Sequence, residues 1–259
     1  MRAQRLCVNL KTKSRKVAKD RKEKKTALYI GFYLNSNMRK PEAVIFDMDG
    51  VLIDSEPIHY EIENKIFDQL GITVSDDVHR KYLGTSADFM YADLKSRFGL
   101  PASISELMQF GESFTCYYFR QLTALNLNEG VLSLLKELKL AGMKLAVATS
   151  SSPEVAKILL DRCEITSYFD AIVTTSEAGK SKPAPDVYLL AAQKICIAPF
   201  NCIVFEDSPN GLSAAKSAGM YCIAVQTSSV NVNELSWADF LIQTFEGMTF
   251  GRLFEIYAL

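Results

Sequence analysis

Residues 43–56 read AVIFDMDGVLIDSE: four apolar residues, two carboxylates two apart, a glycine, and a second apolar run ending in acids. A short unbroken apolar run closed by a turn residue suits a strand buried on both faces, as in a parallel sheet. Two further runs repeat the pattern. LAVATS at 145–150 ends in Thr149 and Ser150, and CIVFED at 202–207 ends in Glu206 and Asp207. In open α/β sheets ligands bind beyond the carboxyl ends of the strands. Asp47, Asp49, Thr149, Glu206 and Asp207 are therefore expected together at one sheet edge, a set suited to a hard divalent cation and a phosphoryl group.

The remainder supplies the rest of an α/β fold. After about Asn128, helical and strand patterns alternate: a helix at Val131–Leu140 stopped by Gly142, a strand at Lys144–Thr149, and a helix from Pro153 with Ser152 as N-cap. A strand at Ala171–Thr175, a helix from Asp186, a strand at Cys202–Phe205, a helix from Asn210 and a strand at Tyr221–Val225 follow, with one more short strand expected at Ala238–Ile242. Such alternation predicts a doubly wound, Rossmann-like parallel sheet with helices on both faces.

Between the first strand and the second lies a gap far longer than an ordinary connection. Ile58, Ile62, Ile66 and Leu70 lie four apart on one helical face, and Gly71 follows as a stop. A second helix is expected from about Ala87 to Phe98, ending at Gly99. Ser103 and Glu106 form the pattern of a capping box opening a third, through Phe110, Phe114 and Tyr118. The gap reads as an inserted α-helical domain over 56–127, in a core of 38–55 and 128–259, preceded by a basic extension over 1–37.

The 259-residue chain has 48% hydrophobic residues and a formal net charge of −1, an ordinary globular composition. That near-zero total hides an asymmetry. Residues 1–37 hold eleven Lys/Arg against two Asp/Glu; the rest holds 18 basic and 28 acidic residues. The acidic remainder has no general attraction for nucleic acid. The leader is expected to be a disordered tail or to precede the true start at Met38, in preference to a targeting or nucleic-acid segment. Six scattered cysteines, Cys7, Cys116, Cys163, Cys196, Cys202 and Cys222, form no C-x-x-C pair and fit a reducing cytoplasm. No apolar stretch approaches a membrane span, and Ala27–Leu34 makes a poor signal peptide.

The chemistry follows from residue types. Of Asp47 and Asp49, one carboxylate can attack phosphorus while the other moves a proton; a turn or capping role is the plain alternative. Glu206 and Asp207 would repel those two acids unless a cation neutralises them, and Mg²⁺ needs only one or two carboxylates beside a substrate phosphate. Thr149 and Ser150, with the turn amides before the next helix, can hold phosphate oxygens. In KSKPAPD, residues 180–186, the prolines are expected to keep the backbone extended and fix Lys182, which sits directly before a proline, over the site in preference to Lys180. His59 lies one helical turn past Glu56 and Pro57, as either a half-exposed helical side chain or a site residue.

These residues in this order resemble the haloacid dehalogenase superfamily, in the branch of β-phosphoglucomutase and sugar-phosphate phosphatases. The matching pieces are FDMDGVLIDSE (46–56), ATSS (148–151), KPAPD (182–186) and VFEDS (204–208). The resemblance implies Asp47 as a nucleophile forming an aspartyl-phosphate and Asp49 as general acid and base. Thr149, Ser150 and Ser151 would meet phosphate, Lys182 would neutralise charge, and Glu56 and His59 would face substrate. Mg²⁺ would be held by Asp47, the Asp49 backbone carbonyl and Asp207, with Glu206 assisting. The inserted helices would be a mobile cap hinged near Ser55–Pro57 and Asn128–Gly130.

The mutase of that branch grips a second phosphate with cationic cap-loop residues, and the corresponding positions here are Leu83 and Ala87. A methyl group does not replace a bidentate guanidinium. The expectation is a cytoplasmic, monomeric, Mg²⁺-dependent phosphatase acting on a small phosphorylated sugar or polyol, with the mutase as alternative. His79, Arg80, Lys81 and Arg97 are candidate substrate selectors. A receiver-type signalling domain shares the chemistry but carries its acidic pair on a different strand and has no helical insert. A non-catalytic binding protein would not need the full set of acids, hydroxyl and lysine.

Overall fold

The structure, a computed structural model, describes residues 40–82, 87–227 and 230–258. The expectations for the basic leader and for Leu83 fall outside them. Pro41–Phe250 form one compact unit, and the helix at Phe250–Tyr257 belongs almost wholly to a second.

Six strands make the sheet: β1 (Ala43–Phe46), β2 (Lys144–Thr149), β3 (Ala171–Thr174), β4 (Cys202–Glu206), β5 (Tyr221–Val225) and β6 (Phe240–Ile242). Every neighbouring pair is parallel, in the order β3-β2-β1-β4-β5-β6. Strand order reverses at β1, the topological switch point where α/β sheets bind ligands. Phe46 pairs with Val147 on one side and Phe205 on the other. The residues that follow these three therefore emerge side by side.

The apolar runs exist because both faces are covered. On one face Ala43, Ile45, Ala148 and Val204 pack with Val187, Tyr188, Ala191 and Leu212. Those residues come from α8 (Asp186–Lys194) and α9 (Pro209–Ser217), labels that count every helix in chain order. On the other face Phe46 stacks on Phe205 with centroids 5.3 Å apart, and Phe205 meets Phe245 at 5.0 Å. There α5 (Val131–Leu140) buries Leu134, Leu135 and Leu138. Ser152 caps α6 (Pro153–Arg162) through the Val155 amide, and α7 (Thr175–Ala178) takes over where β3 was expected to continue.

The insert between β1 and β2 contains α1 (Glu56–Gln69), α2 (Asp76–His79), α3 (Ala87–Phe98) and α4 (Ile104–Gln121). The periodicity holds: Ile62 and Ile66 are buried, joined by Phe67. Ser103 and Glu106 form the expected capping box. α3 and α4 approach so closely that a Cβ at Gly111 would lie 1.7 Å from the Tyr91 hydroxyl. The chain leaves and re-enters the sheet through a short antiparallel ladder, with Ile53 bridging Leu127 and the Asn128 amide donating to the Leu52 carbonyl at 2.9 Å. α4 also packs on α6, where Arg120 pairs with Glu154 and Arg162 donates to the carbonyls of Arg120 and Leu122.

Burial ranks the candidate selectors. His79 is enclosed, its ring stacked 4.1 Å from Tyr60 and its Nε2 bonded to Glu63, so it is core of the insert. Arg97 is paired with Asp93, while Arg80 and Lys81 stay exposed. No described helix is long and apolar enough to cross a membrane.

Asp170 ties the start of β2 to β3: its carboxylate accepts from the Leu145 amide at 2.9 Å and from Lys139 and Lys144 at 3.1 Å. Burial pushes its pKa up, but the amide bond and the two lysines outweigh this and hold it below the ordinary value. Stability from a depressed carboxylate is present above the unfolded pKa and lost as pH falls through the folded one. Asp170→Asn should lower urea-unfolding stability by about 1 kcal/mol at pH 7. The difference from wild type should shrink once pH drops below about 4; a difference that persists unchanged in acid would contradict this.

Candidate active site

Asp47 extends β1 by one residue, its amide donating to the Phe205 carbonyl at 3.0 Å. The chain then turns back: the amides of Leu52 and Ile53 both donate to Met48 O, and Asn128 Nδ2 pins the turn through the carbonyls of Gly50 and Val51, at 2.7 and 2.8 Å. Gly50 has φ +74°, and a Cβ there would lie 2.0 Å from Asp207 Oδ2. Only glycine lets this turn rest on that carboxylate.

Lys182 supplies the cation. Its ammonium, 6% exposed, donates to Asp47 Oδ1 at 2.5 Å, Glu206 Oε1 at 2.6 Å and the Ala148 carbonyl at 3.2 Å. Three acceptors match its three N–H bonds, and Lys180 stays exposed. The lysine segment is not extended as its prolines suggested. It is a turn, with the Ala184 amide on Ser181 O and a cis Lys182–Pro183 bond.

Glu206 accepts five hydrogen bonds. Lys182 and the Tyr188 hydroxyl (2.8 Å) take Oε1, while the amides of Asp207 and Ser208 (both 2.9 Å) and the Ser208 hydroxyl (3.1 Å) take Oε2. Burial works against its charge, but Lys182, the Ser208 amide and Tyr188 hold it below the usual carboxylate range. A Cβ at Gly211 would fall 1.6 Å from Oε1, so the start of α9 closes in behind it. With donors on both oxygens, Glu206 holds Lys182 in place.

Asp207 is the opposite case. It is buried, and among the described residues no donor reaches its carboxylate. Burial, then the charges of Glu206, Asp47 and Glu56, push its pKa well above the ordinary value, with Lys182 offsetting only part. Burial likewise lifts Asp47 to about 8 against the pull of Lys182. Lys182 itself is held cationic by Asp47 and Glu206 in spite of burial. Three buried carboxylates against one ammonium leave excess negative charge, which a divalent cation would neutralise. The donor set fits Mg²⁺: hard oxygens from Asp47 and Asp207, with the Asp49 carbonyl on the same turn.

The Asp49 side chain is otherwise engaged, by the hydroxyls of Ser55 (2.6 Å) and Ser151 (2.7 Å) and by His59 Nε2 (3.1 Å). Burial raises its pKa, but the His59 bond and charge and the two hydroxyls overcome this and hold it at about 2. Burial lowers and Asp49 raises the pKa of His59, and the net shift is upward. Asp49 and His59 thus form an ion pair, set off from the Asp47–Lys182–Glu206 group.

Thr149 is buried with Oγ1 accepting from the Ser151 amide at 3.0 Å, so it shapes the loop. Ser150 is exposed, and Glu56 is half-buried close enough to act on Asp207 and His59 by charge. A cavity of about 270 Å³ beside Gly50 is lined by Asp54, Glu56, Glu129 and amide side chains among the described residues. Four contributors escaped the sequence reading. Ser55 and Ser208 lie inside the quoted motifs, Asn128 lies at the expected hinge, and Tyr188 reads as one more core aromatic on α8.

The family model described as haloacid dehalogenase-like hydrolase matches residues 44–225. A phosphorylated carbohydrates phosphatase of Thermotoga maritima is 34% identical over 200 residues, covering 73% of this chain and 87% of that protein. The β-phosphoglucomutase of Bacillus subtilis is 32% identical over 190 residues, 71% and 83% of the two chains. The crystal structure of CbbY from Rhodobacter sphaeroides in complex with phosphate superposes with a TM-score of 0.70 at 29% identity, covering 79% of this chain and 94% of that one. The chain belongs to the haloacid dehalogenase-like hydrolases and is an enzyme of their β-phosphoglucomutase-like branch.

Proposed function

We propose that the enzyme is a Mg²⁺-dependent phosphatase that hydrolyses a small phosphorylated sugar or polyol through an aspartyl-phosphate on Asp47. The observation that carries this reading is the division of the four acids. Asp47 and Asp207 are under-neutralised beside one lysine, Glu206 is filled by donors, and Asp49 is coupled to a histidine. When bound, Mg²⁺ would supply charge neutralisation between Asp47, Asp207 and a phosphate oxygen.

Lys182 holds Asp47 Oδ1, which leaves Oδ2 without a donor among the described residues and free to attack phosphorus. The P–O bond to the alcohol breaks as the Asp–O–P bond forms, and the leaving oxygen takes the proton held by the Asp49–His59 pair. Water then attacks the phosphorus of the aspartyl-phosphate and gives a proton to Asp49. The bond to Asp47 breaks and phosphate departs. Asp49 is ionised in this arrangement and so is open to a proton in the second step, and His59, 3.1 Å from it, keeps one at hand for the first. In this reading the exposed Ser150 hydroxyl and the loop before α6 would meet phosphate oxygens.

The insert would act as a cap over this edge, excluding water when substrate is bound. Its contacts support the role, since Ser55 and His59 at its start both hold Asp49. The mutase remains a second reading because His59 sits on the acid that would also serve it. Against it, the exposed residue opening α3 is Ala87, which cannot grip a second phosphate.

Phosphate release from p-nitrophenyl phosphate should require Mg²⁺, vanish with EDTA, and fall by about 10³-fold or more in Asp47→Ala. Retained turnover in Asp47→Ala would refute the covalent route. Asp49→Asn should still be phosphorylated by p-nitrophenyl phosphate, whose leaving group needs little protonation, but should release phosphate slowly. Phosphorylated chain would then build up in the intact-mass spectrum; its absence would deny Asp49 the second step. Conversion of β-glucose 1-phosphate to glucose 6-phosphate without phosphate release would favour the mutase.

A further inference from the structure

We propose that Tyr188, from the first turn of α8, is a positioning residue that sets how Lys182 divides between Asp47 and Glu206. The inference rests on the phosphatase reading for its kinetic arm only.

Tyr188 is fully buried, and its hydroxyl donates to Glu206 Oε1 at 2.8 Å, the same oxygen that accepts from Lys182 at 2.6 Å. The Lys182 ammonium also lies 5.0 Å from the centroid of the Tyr188 ring. One side chain thus touches both ends of the Lys182–Glu206 pair. A hydroxyl donor on Oε1 takes up part of that oxygen's charge, and the ring face steadies the ammonium. With the hydroxyl removed, Oε1 has only Lys182 to satisfy it. The ammonium is then drawn toward Glu206 and away from Asp47, 2.5 Å off on its other side.

Two consequences run in opposite directions. Asp47 loses part of its neutralisation during phosphoryl transfer, so turnover falls. The ground-state Asp47 carboxylate becomes more negative, so a divalent cation held by Asp47 and Asp207 binds more tightly. General loosening of the site would weaken both. Opposite signs mark positioning through charge, as distinct from packing.

The test is Tyr188→Phe, which keeps the ring and removes one oxygen. Per folded molecule, kcat for p-nitrophenyl phosphate should drop about tenfold with KM changed less than about twofold. In a Glu206→Ala background the same substitution should change kcat little, because the residue it acts through is gone. Titration calorimetry with Mg²⁺ alone should give Tyr188→Phe a Kd lower than wild type by about threefold. Wild-type kcat in Tyr188→Phe, equal losses in both backgrounds, unchanged or weaker Mg²⁺ binding, or failure to fold would each overturn the proposal. If the wild type releases no phosphate, the functional reading fails and the Mg²⁺ titration alone decides the inference.

Discussion

Excess buried negative charge is the constraint around which this molecule is organised. Asp47, Glu206 and Asp207 are all nearly removed from solvent, and the one ammonium among them in the described residues, on Lys182, reaches only the first two. Burying unpaired carboxylates is costly unless something offsets them. Among the described residues, Glu206 receives five hydrogen bonds and the Asp207 side chain none. That unevenness is what the proposed phosphatase reading rests on. One acid is held by donors on both oxygens and pairs with the lysine, and burial and neighbouring carboxylates push the pKa of the other well up.

The fold delivers this unevenness through register. Parallel pairing places Val147, Phe46 and Phe205 side by side, so the first polar residues past β1 and β4 share one edge. A slip of one residue would turn the side chains to the opposite faces of the sheet. Two glycines complete the packing, with Gly50 on Asp207 and Gly211 on Glu206, each where a methyl group would overlap a carboxylate oxygen. His59 on the first helix of the insert and the hydroxyls of Ser55 and Ser151 hold Asp49, while Lys182 holds Asp47. The two functions of the acid pair at 47 and 49 are separated by what each carboxylate touches.

Much of this was legible in the sequence. Apolar runs ending in acids imply a parallel sheet with its site at the carboxyl edge, because such runs can be satisfied only between two helical layers. The caps at Ser103 and Ser152 and the helix stop before Gly99 were readable for the same local reason. What failed to show was anything depending on distant pairing. Tyr188 occupies a core position by periodicity, and only the fold reveals that its hydroxyl meets Glu206 from 18 residues away. His79 looks like an exposed basic residue beside Arg80 and Lys81, yet aromatic rings of α1 enclose it. Glu206 and Asp207 are chemically alike and adjacent, and no pattern could foretell that one would be saturated and the other left bare. The two prolines near Lys182 suggested extension, whereas a turn brings the ammonium inward.

Anomalous diffraction from a crystal soaked in Mn²⁺, a stand-in for Mg²⁺, tests the central claim most directly. The account predicts one peak between the carboxylates of Asp47 and Asp207, clear of the Asp49 side chain and of both Glu206 oxygens. A peak ligated by Glu206 or by the Asp49 carboxylate, or no peak at this edge, would contradict it.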